Sequence, residues 1–197
     1  VQIPCVPTGT YTNTTSIITA DGNYGTLEID PATVSVTVED IIDPVASCVG
    51  NYTLLLDASG AATLLVSDID AGSSDNCSIA SATLSQSSFD CSDLGANTVT
   101  LTVTDSNGND ATCTTTVTVE DNLDPIVSCK PFTAELGSSG SVTVYPTDIE
   151  DSSSDACGIT SMTINGLASV SYGCADVGDH TVTLEVTDSN GNTDDCV

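Results

Sequence analysis

Residues 97–105 alternate strictly: Val99, Leu101 and Val103 interleave with Thr98, Thr100, Thr102 and Thr104. A period of two puts alternate side chains on opposite faces, so this stretch predicts a strand with one buried apolar face. Asn107-Gly108 then supplies the positive-φ pair of a tight hairpin, and residues 114–120 alternate on the way back. Upstream, residues 52–56 and 62–66 flank the turn residues Ala58-Ser59-Gly60 and predict an earlier hairpin. Thr, Val, Ser, Asp and Gly dominate, and the strong helix formers are scarce, so helices of any length are not expected.

The pattern occurs twice. VEDIIDPVASC (38–48) returns as VEDNLDPIVSC (119–129), SDIDAGSSDNC (67–77) as TDIEDSSSDAC (147–157), and VTLTVTDSNGND (99–110) as VTLEVTDSNGNT (182–193). Four cysteines recur in step: Cys48, Cys77, Cys91 and Cys113, then Cys129, Cys157, Cys174 and Cys196. One module is therefore used twice. About seven short strands per module is the arithmetic of an antiparallel β-sandwich. The predicted organisation is all-β: residues 41–121 and 122–197 as tandem immunoglobulin-like sandwiches, the second lacking its last strand. Residues 1–40 read as a partial or divergent preceding module; their TVSVTVED (33–40) matches TTTVTVED (114–121), with Ala32 in the place of Cys113.

The quoted blocks DPVASC, DNC, FDCSDLGANTVTLTVTDSNGN and TCTTTVTVED, with DPIVSC, DAC, YGCADVGDHTVTLEVTDSNGN and DDC, resemble hyalin (HYR-type) repeats over roughly residues 41–197. That family is immunoglobulin-like, and the form most similar to these blocks occurs in surface proteins of Bacteroidota. The resemblance implies stalks, filaments and adhesins rather than a particular chemistry.

Charge narrows the function further. With 28 acidic residues against one Lys or Arg, the net charge is −27. Phosphate recognition requires cations, so nucleic-acid binding is excluded, and an anionic membrane surface repels the chain. No apolar run is long enough to span a bilayer. The start, VQIPCVPTGT, lacks a basic and an apolar region and reads as a mature or internal terminus. Nine cysteines without C-x-x-C spacing, and a single His, point to disulfides in a secreted or cell-surface protein rather than to zinc.

If the first and last strands run parallel, as tandem modules require, Cys48 can pair with Cys113 and Cys129 with Cys196, which leaves Cys77 with Cys91 and Cys157 with Cys174. This whole assignment is the preferred one of the three connectivities that four cysteines allow in each module. Cys5 has no repeat partner.

The same argument gathers acidic loops at the linker end of each module. In the first these are Asp68, Asp70 and Asp75, the hairpin's Asp105, Asn107 and Asp110, and the linker's Glu39, Asp40 and Asp43. In the second they are Asp148, Glu150, Asp151 and Asp155, then Asp188, Asn190 and Asp194, with Glu120, Asp121 and Asp124. Convergent carboxylates repel unless a cation lies among them, and calcium takes six to eight such oxygens. The expected cofactor is Ca2+, stiffening linkers already restricted by Pro44 and Pro125.

Catalysis has little foothold, so no enzyme is expected. His180 stands where the first module has Asn97, which reads as a turn residue. Asn13, Asn51 and Asn76 are acceptor tripeptide positions for glycans. The preferred function is an extracellular structural or adhesive stalk, its partners being copies of itself or neighbouring repeats, head to tail. A calcium-dependent module binding surface glycans is the alternative. Residues 33–40 are a candidate strand for completing the open second module of a neighbouring subunit. The alternative, which the repeat pattern slightly favours, is that they are the last strand of a preceding module in a longer array.

Overall fold

The computed structural model describes residues 39–197, and the backbone of residues 10–13 and 34–37. In that N-terminal part, β1 (Thr10–Asn13) and β2 (Val34–Thr37) pair antiparallel, Thr10 opposite Thr37. The expectations for Cys5, Ala32 and the Asn13 side chain lie outside the described residues.

In the first module β3 (Asn51–Leu55) leads to β4 (Ala61–Thr63), and a single helical turn, α1 (Val66–Ile69), follows. Then come β5 (Ile79–Leu84), β6 (Ser88–Asp90), a 3-10 turn at Cys91–Asp93, β7 (Gly95–Asp105) and β8 (Asp110–Glu120). One sheet has the order β3-β8-β7-β5 and the other pairs β4 with β6. The inner faces meet over Leu54, Leu64, Phe89, Leu101, Val117 and Val119.

The alternation in β7 is realised: Val99, Leu101 and Val103 are fully buried, and the threonines between them are half-buried. The following hairpin turns at Gly108 (φ +95°), which only glycine adopts without strain. β3 runs parallel to β8, Asn51 opposite Thr116, as expected for first and last strands.

The early hairpin takes another form. β3 and β4 join different sheets, so the turn at residues 57–60 carries the chain across the sandwich. Asp57 builds that turn, its Oδ1 accepting from the Ser59 N–H and hydroxyl and the Ala61 N–H. Helix-poor composition leaves room for one turn where a carboxylate caps it: Asp68 Oδ2 accepts from Leu65 N–H at 2.7 Å, and Asp148 Oδ2 from Tyr145 N–H at 2.8 Å.

The second module repeats the plan with β9 (Ser141–Val144), α2 (Pro146–Ile149), β10 (Ile159–Ile164) and β11 (Val170–Gly173). A 3-10 turn at Cys174–Asp176, β12 (Leu184–Asp188) and β13 (Thr193–Cys196) complete it. Its sheets are β10-β12-β13 and β9-β11. The 197 residues hold no counterpart of residues 114–120 for this module, and residues 132–136 form no strand. Phe132, Leu136, Val142, Val144 and Val182 line a groove of about 460 Å³ there.

Cys48–Cys113 and Cys129–Cys196 are bridged as expected. The other expected pairs, Cys77–Cys91 and Cys157–Cys174, do not form. Instead Cys91 of the first module is bonded to Cys157 of the second, and Cys174 is a free, exposed thiol. Cys77 is disulfide-bonded, though not to Cys91. The reason is strand length. Cys77 precedes β5, whose start lies opposite Asp105, whereas Cys91 leads into the opposite end of β7 at Gly95. Eleven residues of extended chain separate those ends by about 33 Å, far beyond the Cα separation a disulfide tolerates.

Acid should act on the far-end turns in a defined direction. The Ser59 hydroxyl, then the Ser59 and Ala61 amides, hold the Asp57 carboxyl below its ordinary value, and Ser92 does the same for Asp90. A depressed carboxyl stabilises the fold above its unfolded pKa and loses that contribution as pH falls through the folded value. Amide exchange at Ser59 and Ser92 should therefore stay slow at pH 5 and accelerate only below the usual carboxylate range. Acceleration already near pH 5 would contradict these hydrogen bonds.

Candidate functional site

At the linker end of each module, three backbone segments are tied together. Isolated bridges join Val45 to Ser74 and Cys48 to Asp70, and their counterparts join Ile126 to Ser154 and Cys129 to Glu150. The β7–β8 turn is tied in by Asn109, whose Nδ2 donates to Asp40 O (3.2 Å) and Asp105 Oδ2 (2.7 Å). Asn192 repeats this, donating to Asp121 O (3.2 Å) and Asp188 Oδ2 (2.7 Å). These last asparagines of DSNGN were not singled out from the sequence; their recurrence in both modules was the available signal.

In the second module this convergence brings carboxylate oxygens of Asp121, Asp155 and Asp188 within 4.8 Å of one another. Asp121 is 8% exposed and Asp188 2%. Each carboxylate is held by its own loop. Asp188 Oδ1 accepts from the N–H groups of Asn190, Gly191 and Asn192. Asp155 Oδ1 accepts from Cys157 and Gly158 N–H. Asp121 Oδ1 accepts from Leu123 N–H, while its Oδ2 is buried with no hydrogen-bond partner.

Burial pushes the Asp188 carboxyl up, but the Asn192 side chain and the turn amides outweigh it and leave it below the ordinary value. Asp105 is held down in the same way by Asn109 and its neighbours. Asp188 thus stays ionised beside two further acids, in a chain with one basic residue. Such a set has a strong electrostatic demand for a cation.

The first module's set has a different membership. Asp40, Asp75 and the Cys77 sulfur lie within 4.8 Å of one another. There Asn76 Nδ2 donates to Asp40 Oδ2 at 3.0 Å, and the equivalent of Asn76 in the second module is Ala156. The amide satisfies in Asp40 the oxygen that is left orphaned in Asp121. Asp75 Oδ1 remains buried without a partner. An all-oxygen set suits a hard cation such as calcium, and a set including a disulfide sulfur suits it less.

The remaining acids of the sequence reading lie elsewhere. Asp68 and Asp148 cap the helical turns, and Asp70 and Glu150 accept from Ser73 and Ser153. Asp110 and Asp194 are exposed strand positions, and Asn107 and Asn190 are exposed in their turns. Glu39, Asp43, Glu120, Asp124 and Asp151 are exposed. Asn51 is exposed at the start of β3, and Asn76 is occupied with Asp40.

His180 takes the structural place of Asn97. Its Nε2 lies 2.6 Å from Asp176 O, as Asn97 Nδ2 lies 2.6 Å from Asp93 O, and its ring packs on Tyr172 with centroids 4.8 Å apart. Among the described residues no helix is long and apolar enough to cross a membrane.

Residues 39–119, the span of the first module, match the HYR domain family. No enzyme family was found. No curated protein matches the chain significantly. The second module repeats the landmarks of the first, from the linker Glu-Asp-x-x-Asp-Pro to the DSNGN turn.

Proposed function

We propose that this chain is a segment of an extracellular structural or adhesive stalk, built of tandem HYR modules joined head to tail and held at their junctions by disulfides and calcium. The observation that carries the reading is the Cys91–Cys157 bridge, which ties consecutive modules covalently. A second tie through the linker peptide leaves little freedom of rotation between them. Three disulfides among the described residues suit an oxidising, extracellular setting.

Small-angle scattering of the full chain tests the stalk. One fixed arrangement of the two modules should fit the curve. The Cys91→Ser, Cys157→Ser double variant in chelator should instead require an ensemble of junction angles. A wild-type curve that itself requires the ensemble overturns the reading.

Calcium would be held by Asp121, Asp155 and Asp188, neutralising the set and tying the linker to the second module. Extracellular modules bind it at about 10⁻⁴–10⁻³ M, so ~10 mM calcium would stabilise the protein by about 1.4–2.7 kcal/mol. The melting temperature should rise by about 5 °C relative to chelator. Asp121→Asn and Asp155→Asn should each abolish the rise. Titration should count one site rather than two, because Asn76 already satisfies the first module's linker carboxylate. Equal melting temperatures with and without calcium would remove the ion from the account.

A further inference from the structure

Cys174 is the counterpart of Cys91, and the two sit on the same platform. Cys91 Sγ lies 3.7 Å from Gly60 O, and Cys174 Sγ lies 3.5 Å from Gly140 O. Both glycines are left-handed, at φ +73° and +74°. A Cβ added to Gly60 would meet Cys91 Sγ at 2.7 Å, and one added to Gly140 would meet Cys174 Sγ at 3.0 Å. In both modules the glycine makes room for the sulfur.

What differs is the cover. The Ala156-Cys157 loop of the second module lies over the first platform, so a Gly60 Cβ would also meet Ala156 Cβ at 3.2 Å. Gly60 is buried there and Cys91 is half-buried and bonded. On the second platform Gly140 is half-buried, and Cys174 is an exposed thiol. The incoming position shows the same habit. Cys77, the counterpart of Cys157, is disulfide-bonded, and its bond leaves its own module because Cys48, Cys91 and Cys113 are engaged elsewhere.

We propose that Cys174 is the outgoing half of a junction disulfide, and that the partner seated on the Gly140 platform is a further HYR-type module presenting the cysteine of an Asp-x-Cys first loop. The groove lined by Phe132, Leu136, Val144 and Val182 belongs to the same acceptor face. In the first module the equivalent space is filled by Val117 and Val119 of β8, the strand that leads into the next module. A following module therefore brings both the filling strand and the cysteine. In forming the bond, each thiol gives up one proton and one electron. The electron pair reduces a disulfide donor of the oxidising compartment, such as oxidised glutathione or an oxidoreductase, to its dithiol. The inference rests on the tandem-stalk reading and on the disulfide geometry, and holds whether or not calcium binds.

The test is an extended chain in which Val197 is replaced by a second copy of residues 114–197, which recreates the natural junction after Cys196. In the parent chain, Cys174 should alkylate readily. In the extended chain, oxidised with glutathione, its labelling should fall by about tenfold or more, and peptide mapping should find it joined to the added copy of Cys157. Cys174 remaining alkylatable, or the added copies of Cys157 and Cys174 joined to each other, would overturn the proposal. A second measurement needs no added module. In Cys91→Ser full-length chain, Cys157 and Cys174 should both alkylate. A bond between those two would show that the cysteines pair within a module after all.

Discussion

Replacing Cys48 and Cys113 together by alanine should destabilise the first module by about 4 kcal/mol, since the bridge closes a loop whose ends are 65 residues apart. The effect is large because of what the loop contains. Every strand from β3 to β7 lies between the two cysteines, so the bond restricts most of the module's unfolded chain. The sandwich has few aromatic residues to offset the loss, with Phe89 the one phenylalanine of its buried core. Hydrogen exchange of the β7–β8 amides reads the first module separately and should accelerate strongly in the double variant. Amides of β10 and β12 should be almost unaffected. Unchanged protection in β7 would mean that the bridge is incidental to stability.

Leu184→Ala should unfold the second module, whereas the equivalent Leu101→Ala should leave the first module folded but weakened. Both leucines are fully buried in central strands, and truncating such a side chain costs about 2–5 kcal/mol. The difference lies in the reserve around them. Leu101 packs in a cluster with Leu54, Leu56, Phe89, Val117 and Val119. Around Leu184 the buried partners are fewer and smaller: Val144, Ile149, Ile164 and Val186. Leu136, the counterpart of Leu56, is 36% exposed, whereas Leu56 is 3% exposed. Exchange across β10, β12 and β13 should lose protection in Leu184→Ala while β7 and β8 stay protected. The opposite order of damage would show that the open groove costs the second module little.

Much of this architecture was legible because it is local. Val99, Leu101 and Val103 alternate with threonine over a single stretch, and a strand follows from that stretch alone. The turn at residues 57–60 was misassigned as a hairpin because a turn's residues specify that the chain reverses, not which sheet receives the next strand. Asp57 and Gly60 make the same local bend in either case. The acidic residues were harder still. Asp68, which caps a helical turn, and Asp155, which faces Asp121 and Asp188, stand in similar Asp- and Ser-rich loops. Carboxylates accept backbone amides in turns and coordinate cations with the same oxygens, so residue type cannot separate the two uses.

By itself, then, the sequence determined the β class and the twofold use of one module, and it favoured parallel first and last strands, with Cys48 preferred as the partner of Cys113 and Cys129 of Cys196. Those properties depend on periodicity and on contacts repeated in each copy. The tertiary structure alone decided that Cys91 bonds Cys157, that Cys174 is a free thiol, and that Asp121, with its Oδ2 buried and unpaired, is gathered with Asp155 and Asp188. Each depends on how far β7 carries the chain and on how one module's loop lands on its neighbour. Those are distances between segments remote in sequence, and no local pattern encodes them.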